Sequence, residues 1–364
     1  MKRLYIRMAA ALLTAVLFFP CRAEAISAQK AILLDAVSGR ILYKKDIDSR
    51  ALIASTTKIM TALVVCEQCN VLDRMRIPKE AVGIEGSSIY LQEGEVLTIQ
   101  ELLYGMMLHS GNDAAVALAI YCGGTVEGFA QLMNDKAHRL GLENTHFVNP
   151  NGLDSPGHYS SARDMAVLAA YAMNNPIFAQ TVSTKTVKIG KRILRNHNKL
   201  LWRLEGADGV KTGFTKAAGR ILVSSATRQG RRLIAVTIND GNDWVDHAKL
   251  LEMGFSQYTL KQIVHKDDYL GSIEVAGGTE GCVSVYAAED FSYPISDTEK
   301  PEIVLQGAGF VYAPVVSGQN EICAYICLGD RTVGKIMTYY GETVEMDKDK
   351  EISLWEKLFG GEKP

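Results

Sequence analysis

Strand patterning at both ends of a long helical block leaves this chain few ways to bury its apolar faces. Ala31–Asp35 and Ile41–Lys45 flank Ser38-Gly39 as a hairpin. From Ser55 to about Asn175 apolar residues recur at helical spacing: Ile59, Leu63 and Val64, then Leu102, Leu103, Met106 and Met107, then Val116, Leu118 and Ala119, then Met165, Leu168 and Ala169. Strands return between Thr181 and Asp240, most clearly Ile221–Ala226 and Leu233–Ile238 about the turn Arg228-Gln229-Gly230-Arg231. Asp243–Tyr258 is again helical, with Trp244, Ala248, Leu251 and Phe255 near one face. The early hairpin is therefore predicted to join the late strands in one mainly antiparallel sheet. That makes residues 26–260 an α+β domain of three-layer α/β/α type.

Beyond it, β-rich runs at Ser272–Val275, Val283–Tyr286, Ile303–Leu305, Phe310–Val315 and Ile322–Cys327 are separated by Gly, Asp, Ser and Pro. This rhythm predicts a C-terminal all-β domain over residues 261–340. Residues 341–364 form a charged tail in which Ile352, Trp355, Leu358 and Phe359 share a helical face, with seven acidic and four basic residues, net −3. The charge opposes anionic lipid and the face is short, so a weak peripheral membrane contact and docking on the protein both stay open.

At the N-terminus Lys2, Arg3 and Arg7 precede a 12-residue apolar run, Met8–Phe19, then Pro20 and Ala23-Glu24-Ala25. This is a signal-peptide pattern over residues 1–25, and the run falls short of the ~20 residues a membrane-crossing helix needs. Cleavage would turn 39 basic and 41 acidic residues into 35 and 40, net −5. The expected location is outside the cytoplasm: the outer face of the cytoplasmic membrane, the periplasm or the cell wall. An acidic mature chain is no nucleic-acid binder. Its six cysteines, Cys66, Cys69, Cys122, Cys282, Cys323 and Cys327, are too few for a disulfide scaffold. Cys66 and Cys69 form a C-x-x-C within a helix and are read as small buried residues. No second ligand pair follows, and none of the seven histidines falls in an H-E-x-x-H, so no metal or other cofactor is expected.

Three short motifs carry chemistry. In Ser55-Thr56-Thr57-Lys58 the hydroxyl and the amine stand three residues apart on one helical face, at a helix start, so the amine can act as base for a weak nucleophile. Ser27-Ala28-Gln29-Lys30 has the same spacing but lies at the mature N-terminus, outside that context. Ser110-Gly111-Asn112 follows a helix opened by the capping box Thr98-Ile99-Gln100-Glu101, and Asn112 or Asp113 is placed to cap the next helix. Lys211-Thr212-Gly213 precedes the Ile221 hairpin; on an edge strand it offers a cation and a hydroxyl to an anion, and a glycine past which a substrate backbone can approach. Each alone has a bland reading as a polar turn or a solvated strand. In this order they form the constellation of penicillin-binding proteins and β-lactamases. His158–Asp164 invites a triad reading with Ser110, but Ser161 and Asp164 suit a helix N-cap, and Asn149-Pro150-Asn151-Gly152 a preceding turn.

Over residues 28–260 the chain resembles the serine-type D-alanyl-D-alanine carboxypeptidases, the low-molecular-mass penicillin-binding proteins. The segments that carry the likeness are 31–35 with 38–43, 54–62, 110–114, 147–153, 158–164 and 209–213. The resemblance implies a β-lactamase/transpeptidase-like fold and the removal of a terminal D-alanine from peptidoglycan stem peptides, with β-lactams as covalent inhibitors. By the same likeness Ser55 is the nucleophile, Lys58 its base and Ser110 a proton relay to the leaving nitrogen. Asn112 would hydrogen-bond the substrate amide, Lys211 with Thr212 would bind the terminal carboxylate, Gly213 would belong to the same substrate-binding segment, and the N–H groups of Ser55 and Phe214 would form the oxyanion hole. Two other readings are a β-lactamase, which lacks here its usual E-x-x-L-N carboxylate, and a silent peptidoglycan-binding protein, which would not need these side chains intact.

Overall fold

The computed structural model describes residues 25–306, 309–319 and 322–347. The signal-peptide reading, but for Ala25, and most of the tail reading lie outside the described residues. The early hairpin forms as β1 (Lys30–Asp35) and β2 (Ile41–Lys45), two short ribbons follow as β3 (Arg74–Arg76) with β4 (Val96–Thr98) and β5 (Thr186–Ile189) with β6 (Arg192–Arg195), and the late strands are β7 (Ala207–Thr215), β8 (Gly219–Arg228) and β9 (Arg231–Ile238). The hairpin and the late strands share one five-stranded sheet in the order β2-β1-β9-β8-β7, so the strand bearing Lys211-Thr212-Gly213 is an edge. Between β8 and β9 the turn residues Gln229 and Gly230 both have positive φ, as a two-residue hairpin of right-handed twist requires.

The helical block contains α1 (Lys58–Gln68), α2 (Ile99–Leu108), α3 (Asn112–Gly123), α4 (Val126–Arg139), α5 (Ala162–Ala172) and α6 (Pro176–Ser183). Helix α1 is its axis. Nine consecutive residues, Lys58–Cys66, are buried, as expected of a helix apolar all round. Thr98 and Glu101 close both halves of the predicted capping box on α2. Ser161 caps α5 by accepting from Asp164 N, while the Asp164 carboxylate accepts from Asn144 N and Thr145 Oγ1. That pair is structural.

Helix α8 (Asp243–Gln257, α7 being the short turn Leu200–Arg203) departs from the apolar face expected of it. Its buried residues are Asp243, Asp246, His247, Leu250, Leu251 and Gly254, whereas Trp244, Ala248 and Phe255 are half-buried. His247 bridges Ser224 of β8 and Thr237 of β9 at 2.6 and 2.9 Å, and its burial drops its pKa to about 3, so the ring is neutral. A polar buried face gives hydropathy periodicity nothing to report.

Two compact units divide the described chain. The first runs to Leu34 and takes in Tyr43–Ala226 and Ile234–Leu250; the second holds Asp35–Leu42, Thr227–Leu233 and the chain from Leu251. In the second, β11 (Tyr269–Ala276), β12 (Cys282–Ala287) and β14 to β17 (Pro301–Gln306, Phe310–Tyr312, Cys323–Leu328, Arg331–Tyr340) form a six-stranded sheet, and β10 (Thr259–Val264) pairs with β13 (Phe291–Ile295). It has its own apolar clusters, one about Val283, Val285 and Tyr340, the other about Val264, Ala324 and Ile336.

Cys66 is buried, which pushes its thiol up to about 12. Cys69 is not buried as expected: it is half-exposed, and Cys122 of α3 is near enough to lower its pKa, a neighbour the C-x-x-C spacing cannot show. Nor does Asn112 or Asp113 cap α3, whose N-cap is Gly111. Asp113 is buried and instead accepts from Ile89 N, Leu91 N and Ser88 Oγ at 3.1, 3.0 and 2.6 Å, fixing the loop beside Ser87. Asp113→Ala orphans two buried N–H groups and should cost about 3 kcal/mol, read from urea unfolding, with faster amide exchange at Ile89 and Leu91.

Candidate active site

A single 3-10 turn, Ala54–Thr57, leads into α1. Ala54 has φ +45°, a left-handed conformation that swings the chain out of its extended approach and presents Ser55 at the turn. Three residues on, Lys58 Nζ lies 3.1 Å from Ser55 Oγ, as the i, i+3 spacing predicts. Two other oxygens receive the same amine: Asn112 Oδ1 at 2.7 Å and the Asn151 carbonyl at 2.5 Å.

The chemistry of these three partners fixes the amine's role. An amide oxygen and a carbonyl can only accept, so each takes one Lys58 N–H; a neutral amine then has only its lone pair left for Ser55, the one partner able to donate. Neutrality comes from the surroundings. Lys58 is completely buried, and its pKa falls well below 10.5 through loss of hydration first and the nearby Lys211 charge second, opposed by Asp113. Of the three partners of Lys58, only Ser55 is able to donate a proton to it.

Lys211 is also buried; its Nζ donates to Ser110 Oγ at 3.1 Å and to the Thr212 carbonyl at 2.8 Å, and burial lowers its pKa to about 7. Ser110, at φ +65°, therefore accepts from Lys211 and keeps its own hydroxyl proton free to donate. Ser55, Ser110, Thr212, Gly213 and Phe214 line one cleft of about 470 Å³, together with Ser87, His197, Lys199, Arg220, Asp243 and Trp244. Lys58, Asn112 and Lys211 stand behind that wall. Asn112 spends its Oδ1 on Lys58 and its Nδ2 on the Glu85 carbonyl, so it ties the Lys58 amine to the Glu85 loop.

Gly213 has a different task from the one its sequence position suggests. A Cβ there would meet Ile53 O and Thr56 N at 3.2 and 3.3 Å, so its bareness lets β7 lie against the Ser55 turn. The turn Asn149–Gly152, read from sequence as a connector, is a wall of the site: Asn151 O receives Lys58, and Pro150 O receives Thr61 Oγ1. Behind it, His158 accepts from Val148 N and shares a 2.8 Å hydrogen bond with Thr57 Oγ1; its pKa of about 4, set by burial, keeps it neutral. No hydrogen bond links it to Ser110 among the described residues.

Residues 19–242 match the D-alanyl-D-alanine carboxypeptidase family, and residues 258–346 match the C-terminal domain of penicillin-binding protein 5. The chain belongs to the D-alanyl-D-alanine carboxypeptidase family. It is 34% identical over 311 residues to D-alanyl-D-alanine carboxypeptidase DacF of Bacillus subtilis, covering 80% of this chain and 79% of that one. To DacD of Escherichia coli it is 32% identical over 342 residues, covering 89% and 84%. Among solved structures, penicillin-binding protein 5 from Haemophilus influenzae is similar with a TM-score of 0.75 at 31% identity, covering 88% of this chain and 98% of that one. The carboxypeptidase DacD from Francisella tularensis gives 0.75 at 27% identity, covering 89% and 95%.

Sequence reasoning missed Asn151, Arg220 and Asp243. Only Gly152 held a signal for the first: its φ is +84°, and a Cβ would come within 1.9 Å of Ala54 O. Gly152→Ala must therefore displace the Asn151 carbonyl from Lys58. A shift of about 1 Å there should slow acylation of Ser55 by a fluorescent penicillin roughly 100-fold, measured as a second-order rate.

Proposed function

We propose that this protein is a serine D-alanyl-D-alanine carboxypeptidase that shortens peptidoglycan stem peptides outside the cytoplasmic membrane and is acylated by β-lactams at Ser55. The observation that carries the reading is the buried Lys58 amine 3.1 Å from Ser55 Oγ, whose two other partners, Asn112 Oδ1 and the Asn151 carbonyl, can only accept. Ser55 attacks the carbonyl joining the last two D-alanines as its proton passes to Lys58. The oxyanion faces the N–H groups of Ser55 and Phe214. Ser55 sits in the first turn of a helix, where N–H groups lack intrahelical partners, and Phe214 lies on the edge strand brought close by Gly213.

Collapse of that intermediate breaks the C–N bond. The Ser110 hydroxyl supplies the proton to the departing nitrogen and recovers one from Lys58, leaving an acyl-Ser55 ester, free D-alanine and a neutral amine. Water then attacks the ester, its proton passing to Lys58 and on to Ser55, and the shortened peptide leaves.

One observation favours a carboxypeptidase over a β-lactamase. Among the described residues lining the cleft the only carboxylate is Asp243, and Arg220 holds both its oxygens, so no free carboxylate is present to activate water on a penicilloyl ester. The penicillin adduct should persist for many minutes, followed as in-gel fluorescence.

Ser55→Ala should abolish both D-alanine release from a synthetic pentapeptide and penicillin labelling; labelling retained at another serine overturns the assignment. The pH dependence follows from the sign of the Lys58 shift. The base must be neutral, so acylation should rise with pH and level off well below 10.5, the value of an unperturbed lysine. A limb that begins only above pH 10 contradicts it.

A further inference from the structure

Helices α1 and α3 start at the active site and end together away from it. At their first residues Lys58 Nζ donates to Asn112 Oδ1 at 2.7 Å. Cys69, the C-cap of α1, lies eleven positions beyond Lys58, and Cys122, in the last turn of α3, lies ten beyond Asn112. At 1.5 Å per residue these advances are about 16 and 15 Å, so two parallel helices joined at their starts bring the two thiols level. The contacts on either side of the pair agree. Cys122 Sγ donates to Oε1 of Gln68, the neighbour of Cys69, at 3.7 Å, and Tyr121 Oη donates to Asp73 Oδ2 at 3.0 Å.

Both thiols are half-exposed, so a reagent in solvent reaches them. Each is the first cause of the other's shift: Cys122 holds the Cys69 thiol below its ordinary pKa, and Cys69 pushes the Cys122 thiol up. Cys69 is therefore the readier thiolate of the two. Cys66, the other cysteine of the C-x-x-C, is buried on α1 with its thiol pushed up to about 12, which removes it from exchange. The sequence motif names one pair and the fold presents another.

We propose that Cys69 and Cys122 are a disulfide-forming site, and that the closed bond clamps the far ends of the two helices whose starts carry Lys58 and Asn112. The oxidant is a second disulfide, of the kind available outside the cytoplasmic membrane, where the proposed function places the chain. The Cys69 thiolate attacks one sulfur of that disulfide, giving a mixed disulfide and one released thiolate. Cys122 then loses its proton to solvent, attacks the Cys69 sulfur and displaces the second thiolate. Two protein thiols become one protein disulfide, and their two electrons reduce the oxidant to two thiols. The bond closes a loop of about 50 residues, so it acts mainly by restricting the unfolded chain.

The test takes the purified full chain, reduced, equilibrated with oxidised glutathione, alkylated with N-ethylmaleimide and mapped by peptide mass. The peptides bearing Cys69 and Cys122 should appear linked, two hydrogens lighter than their sum, and separate on reduction. Cys66→Ala should keep the link, whereas Cys69→Ser and Cys122→Ser should each lose it. Alkylated thiols at both positions, glutathione adducts that do not resolve, or a Cys66–Cys69 link each overturn the proposal. The oxidised protein should also keep penicillin labelling of Ser55 to a temperature about 5–10 °C above the reduced one, a shift absent from Cys122→Ser. A linked protein that loses labelling at the same temperature as the reduced one overturns the clamp. If Ser55 takes no label at any temperature, the catalytic reading fails, while the mass map still decides the disulfide.

Discussion

Everything in the catalytic unit depends on one buried amine. Lys58 sits in the first turn of a helix with no exposed residue until Glu67, where a bare ammonium would cost several kcal/mol in lost hydration. The fold meets that cost in two ways. It supplies three oxygens from three separate segments, the Ser55 turn, the start of α3 and the Asn149–Gly152 turn, and it places a second buried lysine close enough to disfavour the charge. The result is an amine whose pKa falls well below the ordinary lysine value, the direction a base for serine needs near neutral pH. Gly152 and Gly213 have no side chains because the loop before α5 and the edge strand must both close on the Ser55 turn.

The two lysines divide the work by their partners. Lys58 meets acceptors apart from Ser55, so its lone pair has one direction; Lys211 meets Ser110 and a carbonyl, so it polarises a hydroxyl whose proton then faces outward. An anion beside either amine would favour its charged form and work against the base.

What could be read from sequence was local. The Ser55–Lys58 spacing, the Thr98–Glu101 box, the Ser161–Asp164 cap and the Gln229-Gly230 turn each concern residues within four positions, where helix and turn geometry fix the outcome. The edge placement of Lys211 followed from the order of strands, since an early hairpin that pairs with the last strand pushes the preceding ones outward. What stayed hidden was tertiary. Asn151 acts through its carbonyl, a group every residue has, so no residue type marks it. Arg220 and Asp243 meet across 23 positions, from a strand and a helix whose buried face is polar. The cysteine that perturbs the Cys69 thiol likewise comes from another helix, although a nearer cysteine stood in the motif.

The same amine must also serve the second half of the reaction. Once D-alanine has left, water needs a base, and the carboxylate that lines the cleft is already bound on both oxygens by Arg220. Lys58 is the remaining candidate, and it is available only because the proton taken from Ser55 has left with the amine. A peptide leaving group carries that proton away. A penicillin's ring nitrogen takes the same proton, so Lys58 is again neutral, but the amine stays tethered to the acyl group after the ring opens and can occupy the approach of water. The leaving group therefore separates the two fates of acyl-Ser55: prompt hydrolysis after a departing amino acid, and a long-lived ester after a ring that opens without leaving.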